Sequence, residues 1–157
     1  MSNPTTEPLG PLLKEAASPR KTMCLVRKDL DPRTVANVIG HCALALGALT
    51  PDALVMHPRL VDGDGLEHHG VSGWPFVVTA TRASKLNKTV TDVTEDSALL
   101  SVAFMRPMLT TSSDSELLAQ VLATRTADIE WFGMIAYGEV EAVNRHFGQY
   151  SLWSPVA

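Results

Sequence analysis

The chain has 157 residues, of which 45% are apolar, and it carries 13 Lys and Arg against 17 Asp and Glu, a formal charge of −4. That length and apolar content suit one domain with a single sizeable core, and the acidic balance disfavours nucleic acid as a partner, since it argues against a surface built to hold many phosphates while leaving room for a local basic patch. No stretch approaches the roughly 18 apolar residues needed to span a bilayer, and the N-terminus has no apolar run of signal length, so no membrane partner is expected and the expected location is cytoplasmic.

Residues 1–20 hold four prolines among Ser, Thr, Glu and Asn. They read as a mobile N-terminal arm in which only Leu9–Leu13 can form a helical turn, and the domain proper spans 21–157. Lys21–Lys28 is the first strand, and its unbroken Cys24-Leu25-Val26 run predicts a central place covered on both faces. At Asp31-Pro32 the apolar period changes from strand to helix. Asp31 can cap the first turn and Pro32 suits the first helical position, while Thr50-Pro51 stops the helix after Leu49. Val35, Val38, Ile39, Cys42, Ala45, Leu46 and Leu49 form the face predicted to lie on a sheet. A narrower stripe carries Asn37 and His41 one turn apart, beside Leu44 and Ala48.

The connection 51–73 is long and contains four glycines, and loops of such length are usually functional. Its Asp62-Gly63-Asp64-Gly65 is turn chemistry. His57, Asp62, Asp64, His68 and His69 match no metal-ligand spacing, and no metal or other cofactor is expected. Trp74–Ala80 is a second buried strand, and Thr79, Thr81, Ser84 and Lys85 cluster where it ends, a place where open α/β sheets hold ligands. A helix over Thr81–Ala98, a third strand at Leu99–Met105, a helix over Glu116–Arg125 behind a Ser112–Ser115 cap, and a fourth strand within Ala127–Tyr137 follow. A last helix, Glu139–Phe147, carries an exposed His146, and Leu152 and Trp153 dock back on the body. This order predicts an α/β fold: a single domain with a mixed four-stranded sheet and helices packed on its faces.

Asn37 and His41 are the candidate catalytic residues. At i and i+4 their side chains can reach one ligand; an imidazole can give or take a proton near neutral pH, and an amide can hold a carbonyl or orient the imidazole. The only long connection after this helix is expected to cover the pair, with the rim at Asp62–Gly73. His68 or His69, Ser72 and Thr79 are then candidate substrate-binding residues. Cys24 and Cys42 read as free buried thiols, which fits a reducing compartment.

The VRKDL strand end followed by an apolar helix containing Cys42-Ala43 resembles the opening of the archaeal and eukaryotic-type peptidyl-tRNA hydrolases. Lys28-Asp29-Leu30, Asn37-x-x-x-His41-x-Ala43-Leu44-x-Leu46-Gly47, Pro75-Phe76-Val77-Val78, Tyr137-Gly138 and Leu152-Trp153 together are similar to the bacterial family called domain of unknown function two thousand, over about residues 22–154. The resemblance implies the hydrolase fold without a shared activity. Against the hydrolase pattern, the turn Asp31–Thr34 has neither glycine nor lysine, Asn37 falls where that family has its helix lysine, Leu44 falls on its later histidine, and no D-A-G-x-T segment occurs. Three functions follow as expectations. The first is a small enzyme acting on a carbonyl-containing molecule by hydrolysis, acyl transfer or proton transfer through His41 and Asn37. The second is a non-catalytic module binding a metabolite or a protein, and the third a peptidyl- or aminoacyl-tRNA hydrolase. A homodimer is compatible with all three.

Overall fold

The computed structural model describes residues 19–50 and 59–155, and its sheet is built outward from β1 (Arg20–Arg27). The arm before Pro19 and the stretch 51–58, with His57, lie outside the described residues. β1 pairs in parallel with β4 (Phe76–Thr81) on one side and antiparallel with β6 (Trp131–Glu139) on the other, as its unbroken apolar run requires. β5 (Leu99–Met105) continues the sheet beyond β6. β7 (Ser151–Leu152) closes the far edge against β4, with the Trp153 N–H donating to the Val78 carbonyl at 2.9 Å. The sheet is therefore mixed and five-stranded, in the order β5-β6-β1-β4-β7, one strand more than the sequence signals. A two-residue strand is too short to show a period, so its apolar pair could be read only as docking.

Alternation along the strands divides the core in two. Cys24, Val26 and Ile135 point to one face, where α1 (Pro32–Leu49) buries Val35, Val38, Cys42 and Leu46. Leu49, expected on that face, stays largely exposed in the last turn. Met23, Leu25, Met134 and Ala136 point to the other, under α2 (Ala83–Thr94) and α5 (Val140–Phe147). α2 tolerates its threonines because Thr89 and Thr94 turn their hydroxyls back to the carbonyls of Lys85 and Val90, at 2.9 and 2.7 Å. His146, expected to be exposed, is instead largely covered and bonds Asp96 at 2.9 Å, tying α5 to the turn after α2.

Two features of the connections bear on function. After α1 the chain forms an exposed hairpin of β2 (Leu60–Val61) and β3 (Glu67–His68), whose turn places Gly65 at φ +86 and gives Asp62 Oδ1 the amides of Asp64 and Leu66. Between β5 and β6, which two residues would suffice to join, the chain instead inserts α3 (Pro107–Thr110) and α4 (Asp114–Ala123). Among the described residues no helix is long and apolar enough to cross a membrane.

Candidate functional site

α1 begins as expected, with Asp31 Oδ1 accepting from the amides of Arg33 and Thr34 at 3.0 and 3.1 Å and Pro32 at the first position. With Val38 and Cys42 turned into the core, the helical period sets His41 on the flank nearest β5 and Ala43 on the flank nearest β4. His41 is exposed and its ring is tilted against that of the buried Phe104 of β5, ring centroids 5.9 Å apart at 48°. It opens onto a cleft of about 450 Å³ between α1 and the inserted segment. Ala45 and Cys42 continue the α1 wall, Val102 and Phe104 form the floor, and Met108, Thr111, Ser112, Ser113, Asp114 and Leu117 form the opposite wall. Neither imidazole nitrogen has a hydrogen-bond partner among the described residues.

The opposite wall is held by its own local bonds. Ser113 caps α4 by accepting the Glu116 amide at 3.3 Å, and the Glu116 carboxylate returns to the Ser112 amide at 3.1 Å. The Thr111 hydroxyl donates to the Pro107 carbonyl at 2.8 Å. At its root, Glu130 receives Arg27 at 2.7 Å and Arg106 at 2.9 Å, while Arg27 also holds Asp29 through two nitrogens and lies 5.0 Å over the Phe132 ring. Arg27 first, then Arg106, keeps the Glu130 carboxyl below its ordinary range, and Arg27 does the same to Asp29.

The residues singled out from the sequence separate in space. His41 lines the cleft, whereas Asn37 one turn earlier is exposed, does not line it, and makes no hydrogen bond to His41. The rim expected from Asp62–Gly73 comes from 108–117 instead. The strand order explains this: the chain leaving α1 returns at β4, on the side of β1 away from β5, so the hairpin cannot reach the His41 flank. His68 bonds Asp62 at 2.9 Å across the exposed hairpin, and His69 is exposed. Ser72 shares hydrogen bonds with the Trp74 backbone and lines a separate crevice of about 170 Å³ with Ala43 and Phe76. Thr79 is buried, its hydroxyl donating to the Cys24 carbonyl at 2.9 Å, and so is a sheet residue with no access to ligand. Among the described residues no three His, Cys, Asp or Glu side chains converge to hold a metal ion. The cleft wall at 108–117 was missed, although one signal existed: an apolar-containing insertion between two strands that turn out to be antiparallel neighbours.

A family model described as Protein of unknown function (DUF2000) matches residues 20–154. The chain belongs to the DUF2000 family. A solved structure of a protein of unknown function from Agrobacterium tumefaciens is similar over 88% of this chain and 100% of that one, with a TM-score of 0.77 at 20% identity. At that identity the likeness shows a shared fold and carries no activity. No curated protein matches the chain.

Proposed function

We propose that this protein is a small enzyme that binds a carbonyl-containing molecule in the cleft between α1 and the 106–130 connection and exchanges a proton with it through His41. One observation carries this reading: the imidazole of His41 has no hydrogen-bond partner among the described residues and stands at the mouth of a cleft of about 450 Å³, within the 300–1,000 Å³ typical of metabolite sites. The apolar Val102, Phe104, Met108 and Leu117 would exclude water from a ligand's body, and the hydroxyl oxygens of Thr111 and Ser112, whose protons go to Pro107 and Glu116, would accept from donors at its polar end. Of the three reaction types expected, direct proton transfer fits best. Ser112 and Ser113 are engaged with Glu116 and do not bond His41, so no hydroxyl is activated as a nucleophile.

Retention of a ligand without turnover is the second reading. It is favoured because no carboxylate or carbonyl among the described residues is bonded to His41, since catalytic imidazoles are usually oriented by such a partner. The test is deuterium exchange. A panel of 2-oxo acids, aldehydes and amides is screened by thermal shift, and each binder is incubated with the protein in D2O and followed by proton NMR. The enzyme reading expects loss of the proton beside the carbonyl with wild type and none with His41→Gln, while the thermal shift persists. Exchange unchanged by His41→Gln would remove the catalytic role, and a thermal shift without any exchange would favour the binding module.

We also read the fold as that of the peptidyl-tRNA hydrolases, supported by the VRKDL end of β1 leading through a capped turn into α1. Activity on tRNA gains nothing from the residues, because Asn37 stands where the resemblance puts a lysine and the net charge is −4. Sub-micromolar tRNA binding at about 150 mM salt, falling steeply as salt rises, would reverse that judgement. Location in a reducing compartment is supported by the free, buried thiols of Cys24 and Cys42.

A further inference from the structure

At one end of the sheet, apart from the His41 cleft, lies a group of cations that the cleft does not use. Lys28 follows β1, and Arg82 and Lys85 open α2, so all three gather at the C-terminal ends of the parallel pair β1 and β4, where α/β sheets place their ligands. They line one open groove of about 360 Å³ with Thr81, Tyr150 and Ser151, and no acidic residue lines it.

Most cations of this acidic chain are spoken for. Arg20, Arg27, Arg59, Lys88, Arg106, Arg125 and Arg145 each have a carboxylate within 4 Å, and Lys21 bonds Asn144. Among the described residues Lys28, Arg82 and Lys85 have no such partner, and the nearby Asp29 is held by Arg27. Thr81 supplies a second, independent sign. It is 7% exposed, shares the face of β4 that carries Val77 under α2, and its hydroxyl has no hydrogen-bond partner among the described residues. Trp74 Nε1, not this hydroxyl, is the fully covered side-chain polar atom without a partner among the described residues, so the Thr81 hydroxyl keeps some exposure, and Thr81 lines the groove. The α2 N-terminus beside it has no acidic residue in its first turn and no side-chain cap, which leaves its partial positive charge unneutralised. Tyr150, its hydroxyl bonded to Thr89, fixes the far wall.

The geometry points to a phosphoryl-binding site: the groove takes the phosphate or diphosphate end of a small molecule, with Lys28, Arg82 and Lys85 as counter-charges and the Thr81 hydroxyl as a hydrogen-bond donor. A phosphate monoester carries about −1.5 to −2 charges at pH 7 and three acceptor oxygens, which suits three convergent cations better than a single carboxylate does. A guanidinium can grip two of those oxygens at once. Because the groove shares no lining residue with the His41 cleft, the inference stands apart from the enzyme reading.

The test is a calorimetric titration of the full chain with inorganic pyrophosphate at low salt. The expected result is saturable binding weakened about tenfold or more by Lys28→Ala and by Arg82→Ala, weakened again by salt, and unchanged by Arg33→Ala, an exposed cation outside the groove. Melting temperatures should be the same for all variants. Thr81→Val, which keeps the shape and removes the hydroxyl, should weaken binding severalfold. No saturable binding, an equal loss from Arg33→Ala, or acetate binding as tightly as pyrophosphate would each overturn the assignment.

Discussion

Arg106 and Glu130, which bracket the inserted segment between β5 and β6, are joined twice: the Arg106 amide donates to the Glu130 carbonyl at 2.9 Å, and its guanidinium meets the Glu130 carboxylate at 2.9 Å. Their contact closes the base of the segment that walls the His41 cleft, and Arg27 of the central strand anchors the same carboxylate at 2.7 Å. The cleft is thus fastened to the core at one ionic point.

That point is sensitive to acid. Both guanidiniums favour ionised Glu130, so its folded-state pKa lies below the unfolded value of about 4.3. The stabilisation is complete above that value and is lost as pH falls through the lower, folded one. Since Glu130 is 40% exposed, screening limits the whole effect to about 1 kcal/mol. Glu130→Gln should lower stability by that amount at neutral pH and flatten the acid limb of a denaturation series; an unchanged limb would show that the pairs contribute nothing.

His41→Gln should leave stability within about 0.5 kcal/mol of wild type, because the side chain is exposed and makes no hydrogen bond among the described residues. Urea denaturation checks it. A loss of 2 kcal/mol or more would make His41 structural and remove the basis of the proton-transfer reading.

Gly133 of β6 lies directly beneath Val38 of α1. A Cβ there would sit 2.8 Å from the Val38 side chain and 3.0 Å from the Leu25 carbonyl, and the carbonyl cannot give way without disturbing the pairing of β1 with β6. Gly133→Ala is expected to cost about 1–3 kcal/mol by overpacking and to lower the melting temperature by several degrees, whereas Gly47→Ala, with open space around it, should stabilise slightly.

Cys24 and Cys42 are both essentially unexposed. Burial pushes the Cys42 thiol up to about 12 and raises Cys24 as well, to which the neighbouring Cys42 adds. Neither forms a reactive thiolate at neutral pH. A disulfide reagent should find no fast thiol in the native protein and two after denaturation, with Cys42 reacting first during partial unfolding because it borders the cleft.

Local signals were enough for what depends on neighbours in the chain. The Cys24-Leu25-Val26 run announced a doubly covered strand, Asp31-Pro32 announced the start of α1 to the residue, and the three- and four-residue spacing separated Val38 and Cys42 from His41. None of these needs a distant partner, because capping, fixed φ and side-chain period are properties of adjacent residues. The partner of His41 was a different matter. The nearest long connection in sequence was expected to cover it, yet strand order decided otherwise: β4 pairs on the side of β1 remote from β5, which carries the hairpin with His68 and His69 away and brings Met108–Leu117 across. The same order sends Lys28 to meet Arg82 and Lys85. Which strands become neighbours follows from how two faces of one sheet are buried at once, a long-range balance that no window of the sequence contains.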